Sequence, residues 1–395
     1  MAKEYPRARI LKDVKRIVIK IGSGVLTSAN GGLDEAVFQR LAGEISLLKR
    51  NGYEPIVVSS GAIAAGMQEL GLVEKPKSIP QKQAAAAVGQ STLMKSYEKS
   101  FAEYGQKVAQ VLLTHDDLNS RKRYLNARNT LLTLVDYGII PVINENDSVA
   151  VEEIKFGDND NLSALTTNLV EADLLLILTD INGLYDENPC EKADARRISV
   201  VEEVDREIEE IAGDTISTTG IGGMTTKVQA AKKAAIFGLP TIVTNGRING
   251  TISKVMTGED VGTLFLPKGN RMGSRKHWIA FAVKPKGEII VDEGAEKAII
   301  DKGTSLLPSG ILNVEGRFGV GDSVSLVNPY GSEFARGLVN YGCSEIMEIR
   351  GLNTRDIEGK LGYKYYDEVI HRDDLVVLYV QKRVTDQSLG VQDVH

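Results

Sequence analysis

The chain has 395 residues, 42% of them hydrophobic and 25% charged, values ordinary for a globular protein long enough to form two domains. Its net charge of −6 gives no overall attraction to nucleic acids or anionic membranes. Four histidines without metal-ligand spacing argue against zinc, and two cysteines without pairing or metal spacing predict a reducing, cytoplasmic compartment. The first residues show no signal-like apolar core, and no apolar run of about 18 residues could span a bilayer.

The segment from Arg16 to Leu266 alternates apolar strand-like stretches with helical ones. This alternation predicts an α/β domain with a mostly parallel sheet sandwiched by helices. The predicted strands are RIVIKI, PIVV, VAQVLL, YGIIPVI, ADLLLILTD and PTIVTNG. The predicted helices are DEAVFQRLAGEISLLKRNG, GAIAAGMQELG, QKQAAAAVGQSTLMKSYEKSFAEYG, RYLNARNTLLTLVDYG, LSALTTNLV, VVEEVDREIEEIAG and TKVQAAKKAAIFG.

The character of the chain changes near Lys268, where a glycine-rich, basic stretch (GNRMGSRKHW) is typical of a linker. Short strand-like pieces follow (GEIIVDEGA, SVSLVN, FARGLVNY and DLVVLYV), with one helical piece at AEKAIIDKG. We therefore predict an α/β domain over 1–269, a linker over 270–284, a small β-rich domain over 285–384 and a polar tail over 385–395.

Two polar turns come directly after predicted strands. In the first, Lys20 precedes Gly22 and Gly24, an arrangement that lets backbone N–H groups and an ammonium approach a phosphate. An ordinary strand-to-helix turn explains the same residues. In the second, Ser60 and Gly61 begin a helix and could bind a carboxylate or phosphate, although a simple helix cap explains them better when they are taken alone.

A third glycine-rich loop, TGIGGMTTK, leads into a helix whose first turn contains Lys227. The helix dipole disfavours a cation at that end, and a bound anion would reverse the effect. This favours a phosphate site, with a solvated surface turn as the alternative. The Thr179-Asp180 pair ends another strand and is compatible with nucleotide contacts or with a cap on the next turn.

The stretches NEND and GDNDN place four carboxylates, those of Glu145, Asp147, Asp158 and Asp160, on loops near the end of a predicted strand. Such a group requires a cation nearby, which could be a lysine, an α-ammonium group or a metal. Magnesium held mainly by phosphate oxygens fits better than a calcium cage. Together with lysines on two glycine loops, these acids indicate phosphoryl transfer. A carboxylate acceptor would need no general base, in agreement with the lack of histidine in these motifs.

The motifs VIKIGSGVLT, VVSSGAIAAGM, PVINENDSV, FGDNDNLSA, LTDINGLY and GIGGMTTK resemble those of the amino acid kinase family, particularly of its members that phosphorylate glutamate. The resemblance implies the amino acid kinase fold and transfer of phosphate from ATP, with magnesium, to the side-chain carboxylate of L-glutamate. It also implies the first step of proline biosynthesis and feedback inhibition by proline. N-acetylglutamate or aspartate remain alternative acceptors.

Residue by residue, the resemblance implies three groups. The catalytic group is Lys20, Lys227, Asp160 and Asp158. The glutamate-binding group is Ser60, Gly61, Asp147 and Asn159. The ATP-binding group is Lys20, Gly22, Gly24, Thr179, Asp180, Gly220, Gly222, Gly223, Met224 and Lys227, and no residue is assigned as a metal ligand. The loop departs from the family pattern because Ile221 replaces a threonine, so a hydroxyl contact is lost there.

The C-terminal motifs GEIIVDEGA, SLLPSGI and HRDDLV resemble a PUA domain. PUA domains occur in RNA-modifying enzymes, so an RNA-binding regulatory protein is the alternative from another class. This segment mixes Lys302, Arg317 and Arg336 with acidic residues and has no basic stripe, so we do not expect RNA binding. The resemblance further implies a homo-oligomer and a functional link to glutamyl phosphate reductase, with no membrane partner.

Overall fold

The computed structural model describes residues 7–28, 31–119, 121–149, 159–189, 191–192, 194–213, 223–268, 279 and 284–378. Contacts within the chain divide it into two units, Met1–Ser274 and Arg275–His395. Within the described residues, no helix combines the length and apolar character needed to cross a membrane.

The first unit is built on an eight-stranded sheet with the order β3-β4-β2-β1-β5-β7-β8-β6. Its strands are β1 (Arg16–Ile21), β2 (Glu54–Ser59), β3 (Val108–Leu113), β4 (Ile140–Glu145), β5 (Leu174–Thr179), β6 (Val200–Val201), β7 (Thr241–Asn245) and β8 (Thr263–Phe265). All neighbouring pairs are parallel except β7 and β8. The predicted mostly parallel α/β sheet is therefore confirmed, and the carboxyl ends of β1, β2, β4, β5 and β7 share one edge.

Helices complete this unit. They are α1 (Arg7–Leu11), α2 (Ser23–Leu26), α3 (Glu35–Arg50), α4 (Ala62–Glu69), α5 (Ile79–Ala102), α6 (His115–Asn119), α7 (Arg121–Asp136), α8 (Asn159–Leu169), α9 (Arg206–Gly213), α10 (Met224–Ile236) and α11 (Thr251–Met256). Ile17, Ile19 and Ile21 of β1 are fully buried in the core, where side chains from α3 and α5 also pack. Central strands are buried on both faces, which explains their nearly continuous apolar sequences.

One sequence-based element is wrong in its first half. The stretch VVEEVDREIEEIAG was predicted as a single helix, whereas Val200–Val201 forms β6 and the helix begins only at Arg206. Val200 and Val201 pair with Leu264 and Phe265 of β8. This pairing with a distant strand outweighs the local helical pattern, as is common for short β-branched segments.

The second unit contains a five-stranded sheet with the order β10-β9-β11-β12-β13. Its strands are β9 (Gly287–Val291), β10 (Ile311–Gly316), β11 (Ser323–Val327), β12 (Glu333–Leu338) and β13 (Leu375–Val377). Its α-helices are α12 (Glu293–Lys302), α13 (Cys343–Ile349) and α14 (Ile357–Leu361). The expected β-rich character is confirmed, but the sequence predicted only α12 among these helices and missed β10.

Candidate active site

Three charged side chains meet at the carboxyl end of the sheet, although they come from distant parts of the chain. Lys20 lies on β1, Asp160 in the first turn of α8, and Lys227 in the first turn of α10. Lys20 Nζ lies 2.6 Å from Asp160 Oδ1, and Lys227 Nζ lies 3.4 Å from Asp160 Oδ2. Asp160 thus contacts both ammonium groups.

The surroundings of Asp160 favour its charged form. Burial disfavours the Asp160 carboxylate, but the charges of Lys20 and Lys227 and the hydrogen bonds from Lys20 and Thr226 outweigh burial and hold the pKa of Asp160 well below its usual range. Lys20, Asp160 and Lys227 are 4%, 1% and 5% exposed. Thr226 donates from Oγ1 to Asp160 Oδ2 at 2.7 Å. Both carboxylate oxygens of Asp160 therefore contact an ammonium group.

The glycine turn after β1 is held against the end of β5. The Gly22 N–H donates to Leu178 O at 3.0 Å, and its donation to a phosphate stays a prediction. The position of β1 beside β5 brings Leu178 against Gly22. The N–H groups of Ser23 and Gly24 lie in the first turn of α2, where a helix offers no internal acceptor. These two groups are the donors that the turn presents.

An amide and hydroxyl cluster lies beside the charged one and joins β2, β4 and α8. Asn159 donates from Nδ2 to Ser59 O at 3.0 Å, to Ser60 Oγ at 3.1 Å and to Asn144 Oδ1 at 3.0 Å. Asn144 donates from Nδ2 to Gln90 Oε1 at 2.7 Å. Within the described part of the chain, the buried Oδ1 of Asn159 has no hydrogen-bond partner. It is therefore an acceptor suited to a ligand ammonium.

Gly61 links this cluster to α4. Its φ of 108° lies in the left-handed region, which a residue with a side chain rarely adopts. Glycine is thus required for the turn that leads from β2 into the helix and presents Ser60. The close packing of α4 on α5 fixes the position of the turn.

A cavity of about 520 Å³ opens at the same sheet edge, next to the amide cluster. Gln90 contributes to its lining and connects it to Asn144. Asp147, in the turn after β4, also lines it, with Glu145 and Lys95. Of the predicted glutamate-binding residues, only Asp147 lines this cavity, whereas Ser60 and Asn159 belong to the amide cluster beside it.

On the other side of β1, the end of β5 faces the glycine turn. Thr179 donates from Oγ1 to Asp180 Oδ1 at 3.1 Å. A Cβ at Gly24 would lie only 2.9 Å from Asp180 Oδ2, so the two segments are in direct contact. Helix α10 begins at Met224, directly after its N-cap residue Gly223, so both residues lie within about one turn of Lys227. The remaining predicted residues, Asp158, Gly220 and Gly222, lie outside the described residues, as does Ile221.

Three polar residues of this region were not among the predicted site residues, namely Gln90, Thr226 and Asn144, the last of which was named only as part of the stretch NEND. Gln90 lies within a long helix of small residues, where nothing in the local pattern distinguishes it. Asn144 lies next to the end of β4, and this position near a strand end was the only feature of the sequence that could have indicated a role in the site. Thr226, directly before Lys227, is explained by its bond to Asp160, a contact between distant segments that no local pattern encodes.

The resemblance implies magnesium. The described residues contain no group of three or more histidine, cysteine or acidic side chains arranged to hold a metal. Asp160 is committed to two ammonium groups. Magnesium needs few protein ligands when it arrives with phosphate oxygens, and the site fits that mode rather than a dedicated protein cage.

Comparisons with known proteins agree with this geometry. The model of the amino acid kinase family matches residues 15–245, and that of the PUA domain matches residues 287–361. A glutamate 5-kinase of Geobacter metallireducens is 58% identical over 372 residues, covering 94% of this chain and 100% of the relative. The glutamate 5-kinase of Syntrophotalea carbinolica is 54% identical over 371 residues, covering 94% of this chain and 99% of the relative. The chain therefore belongs to the amino acid kinase family.

Proposed function

We propose that this protein transfers the γ-phosphoryl group of ATP to the side-chain carboxylate of L-glutamate, giving L-glutamyl 5-phosphate and ADP. The observation that carries the proposal is the pair of buried ammonium groups, Lys20 and Lys227, held by one carboxylate at the carboxyl edge of the sheet. The similar proteins named glutamate 5-kinase support glutamate as the acceptor.

In the proposed reaction, a carboxylate oxygen of glutamate attacks the γ-phosphorus. The new O–P bond forms as the bond between that phosphorus and the oxygen of the β-phosphate breaks, and ADP leaves with the electron pair. The attacking oxygen is already ionised, so no proton is removed. Negative charge on the transferring group is stabilised by Lys20 and Lys227, and Asp160 keeps the two ammonium groups in place. Asp158 completes the catalytic set in this proposal.

We assign glutamate to the side of the site formed by Ser60, Gly61, Asp147 and Asn159. The buried Oδ1 of Asn159 is an acceptor for the substrate ammonium, and Asp147 supplies a negative charge for the same group. Ser60 Oγ, bonded to Asn159, is placed to contact the substrate. A small amino acid carries an ammonium group and carboxylates, so its recognition requires both hydrogen-bond acceptors and hydrogen-bond donors. This cluster supplies groups of both kinds.

We assign the nucleotide to the opposite side of β1. The glycine turn with Gly22 and Gly24 lies in direct contact with the Thr179-Asp180 loop. Lys227 lies in the first turn of α10. Gly220, Gly222, Gly223 and Met224 complete this side in the proposal. Magnesium would enter with the ATP phosphates and neutralise part of their charge.

The acceptor is tested by measuring ADP release with glutamate, aspartate, N-acetylglutamate, carbamate and UMP in parallel. We expect kcat/KM for glutamate to exceed that for every other acceptor by about 100-fold or more, because buried polar groups are left unpaired by the wrong substrate. Turnover with another acceptor and none with glutamate would contradict the proposal.

The wider role is proposed from the same resemblance. We propose that the enzyme is a cytoplasmic homo-oligomer that performs the first step of proline biosynthesis, is inhibited by proline and supplies glutamyl phosphate reductase. Proline titrated against glutamate saturation curves of the full-length chain tests the regulatory part. A rise in the apparent KM for glutamate is expected, and curves that do not change with proline would contradict it.

A further inference from the structure

The segment Asn245-Gly246-Arg247, which begins with the last residue of β7, contacts two loops that are distant from it in the chain. The Arg247 guanidinium donates from Nε and Nη2 to Gly24 O at 2.8 and 2.6 Å, and from Nη2 to Thr27 O at 2.6 Å. One side chain therefore binds two carbonyl groups of the turn that contains Gly22 and Gly24.

The same segment also holds the loop after β5. Asn245 donates from Nδ2 to Asn182 Oδ1 at 2.9 Å and to Asp180 O at 3.3 Å. The Gly246 N–H donates to Thr179 O at 2.8 Å. Asn245 Oδ1 in turn accepts from the Arg247 N–H at 2.8 Å, which couples the two sets of contacts.

The packing around this segment leaves it little freedom to move. A Cβ at Gly246 would lie 2.8 Å from the Cβ of Leu178 and 3.1 Å from a methyl group of Val25. From the outer side, Arg40 of α3 donates to Gly246 O at 2.5 Å and to Ile248 O at 3.2 Å. The segment is thus anchored on α3 and presents its donors to the two loops.

We propose that Asn245 and Arg247 are positioning residues that fix the distance between the glycine turn (22–27) and the loop 179–182, and that they thereby set the affinity for nucleotide. The inference rests on the proposed function in taking these two segments as the nucleotide side of the site. Neither residue contacts the Lys20–Asp160–Lys227 cluster through any described hydrogen bond, so both act through the loops.

Arginine suits this role because its planar fork donates to two carbonyl groups at once. Gly24 O lies in the short helix α2 and Thr27 O directly after it, and the last carbonyl groups of a helix lack internal donors. When the guanidinium is removed, the turn is free to shift relative to Asp180. The apparent affinity for nucleotide then equals the intrinsic affinity multiplied by the fraction of molecules that keep the binding-competent spacing.

The test compares R247M, R247K and N245D with the wild-type chain. The matched control is R206M, because Arg206 is 91% exposed and pairs with Glu210 on the surface of α9. Three quantities are measured: the Kd of ADP by calorimetry, the separate KM values for ATP and glutamate, and the midpoint of thermal unfolding.

We expect R247M to raise the Kd of ADP and the KM for ATP by about ten-fold. The KM for glutamate should stay within about two-fold, because the amide cluster lies on the other side of β1. R247K, which retains one of the two carbonyl contacts, should recover part of the affinity. N245D, which places a carboxylate against Asp180 O and Asn182 Oδ1, should behave like R247M, and R206M should match the wild type.

An unchanged Kd for ADP in both R247M and N245D would overturn the inference. So would equal rises in the two KM values with a lowered unfolding temperature, the signature of a general structural role. A wild-type chain that binds ADP but phosphorylates no glutamate would refute the proposed function alone, since the Kd comparison still decides the role of Arg247. A wild-type chain that phosphorylates glutamate while R247M and N245D both bind ADP normally would refute this inference alone.

Discussion

Lys20 and Asp160 form an ion pair at 2.6 Å in which both side chains are almost completely buried. Taking two charges out of water is costly, and a pair of this kind is retained where the charges serve a purpose beyond stability. Lys227 approaches the same carboxylate from another helix. The cluster therefore holds two positive side chains and one negative one, and its net charge of +1 favours the binding of an anion such as a phosphate group.

Replacing Lys227 by alanine should lower kcat by about 100-fold or more and leave the KM for glutamate nearly unchanged, because the ammonium stabilises charge that develops in the transition state. Steady-state kinetics with both substrates measures this. The control is K232M on the same helix, since Lys232 pairs with Glu209 away from the cluster and its removal should leave kcat within about two-fold. A change confined to the KM of glutamate in K227A would contradict the assigned role.

The D160N substitution should lower the free energy of unfolding at pH 7 by about 3–5 kcal/mol, because it leaves two buried ammonium groups without their counter-ion. Urea unfolding measures the difference. D116N is the control, since Asp116 is exposed on α6 and its neutralisation should change stability by no more than about 0.5 kcal/mol. Equal effects of the two substitutions would show that Asp160 does not hold the lysines.

The contribution of Asp160 to stability should depend on pH in a defined direction. The pKa of Asp160 is lowered in the folded protein, so the folded state binds its proton less readily than the unfolded state does. Its stabilising effect is then complete at neutral pH and is lost as the pH falls below the unfolded value of about 3.9. Urea unfolding of the wild type and D160N between pH 7 and pH 3 should show a difference that shrinks only at the acidic end. A constant difference over this range would argue against the lowered pKa.

The sequence predicted the parts of the site that depend on strand ends, because parallel strands bring their carboxyl ends to one edge. Lys20 and Asp160 could be assigned in this way. The amino-acid sequence could not predict the order in which the strands lie side by side in the sheet. The bond from Gly22 N to Leu178 O exists because β1 lies beside β5, and the bond from Asn159 to Asn144 exists because β4 lies beside β2.

Arg7 provides a prediction for the N-terminal helix. Its guanidinium is buried and donates to Val261 O, Ser199 O and Gly262 O, and it pairs with Asp260 at 2.8 Å. Burial lowers the pKa of Arg7, an effect that the charge of Asp260 opposes. R7M should therefore destabilise the protein by about 2–4 kcal/mol, because several buried carbonyl groups lose their donor.

Chemical denaturation of R7M and R9M measures this effect with a matched control. Arg9 lies on the same short helix and is exposed, so its replacement should change the free energy of unfolding by no more than about 0.5 kcal/mol. Similar values for the two variants would show that the carbonyl contacts of Arg7 contribute little.

The contact between α4 and α5 depends on glycine at two positions. A Cβ at Gly66 would lie 1.7 Å from Ala85 O, and one at Gly89 would lie 1.9 Å from Ala62 O. These acceptors belong to the backbone, so the helices themselves must move apart to admit a methyl group. G66A should therefore destabilise the first unit by about 2 kcal/mol or more, even though alanine is the better helix former by about 1 kcal/mol.

Calorimetric unfolding of G66A and G359A separates the clash from the intrinsic helix preference. Gly359 lies in α14, is exposed, and a Cβ there would meet no atom within 4 Å. G359A should therefore stabilise its own unit by up to about 1 kcal/mol. Because α4 begins at the turn that carries Ser60, G66A should also raise the KM for glutamate, whereas G359A should not. Stabilisation of the first unit by G66A would contradict the close approach of these two helices.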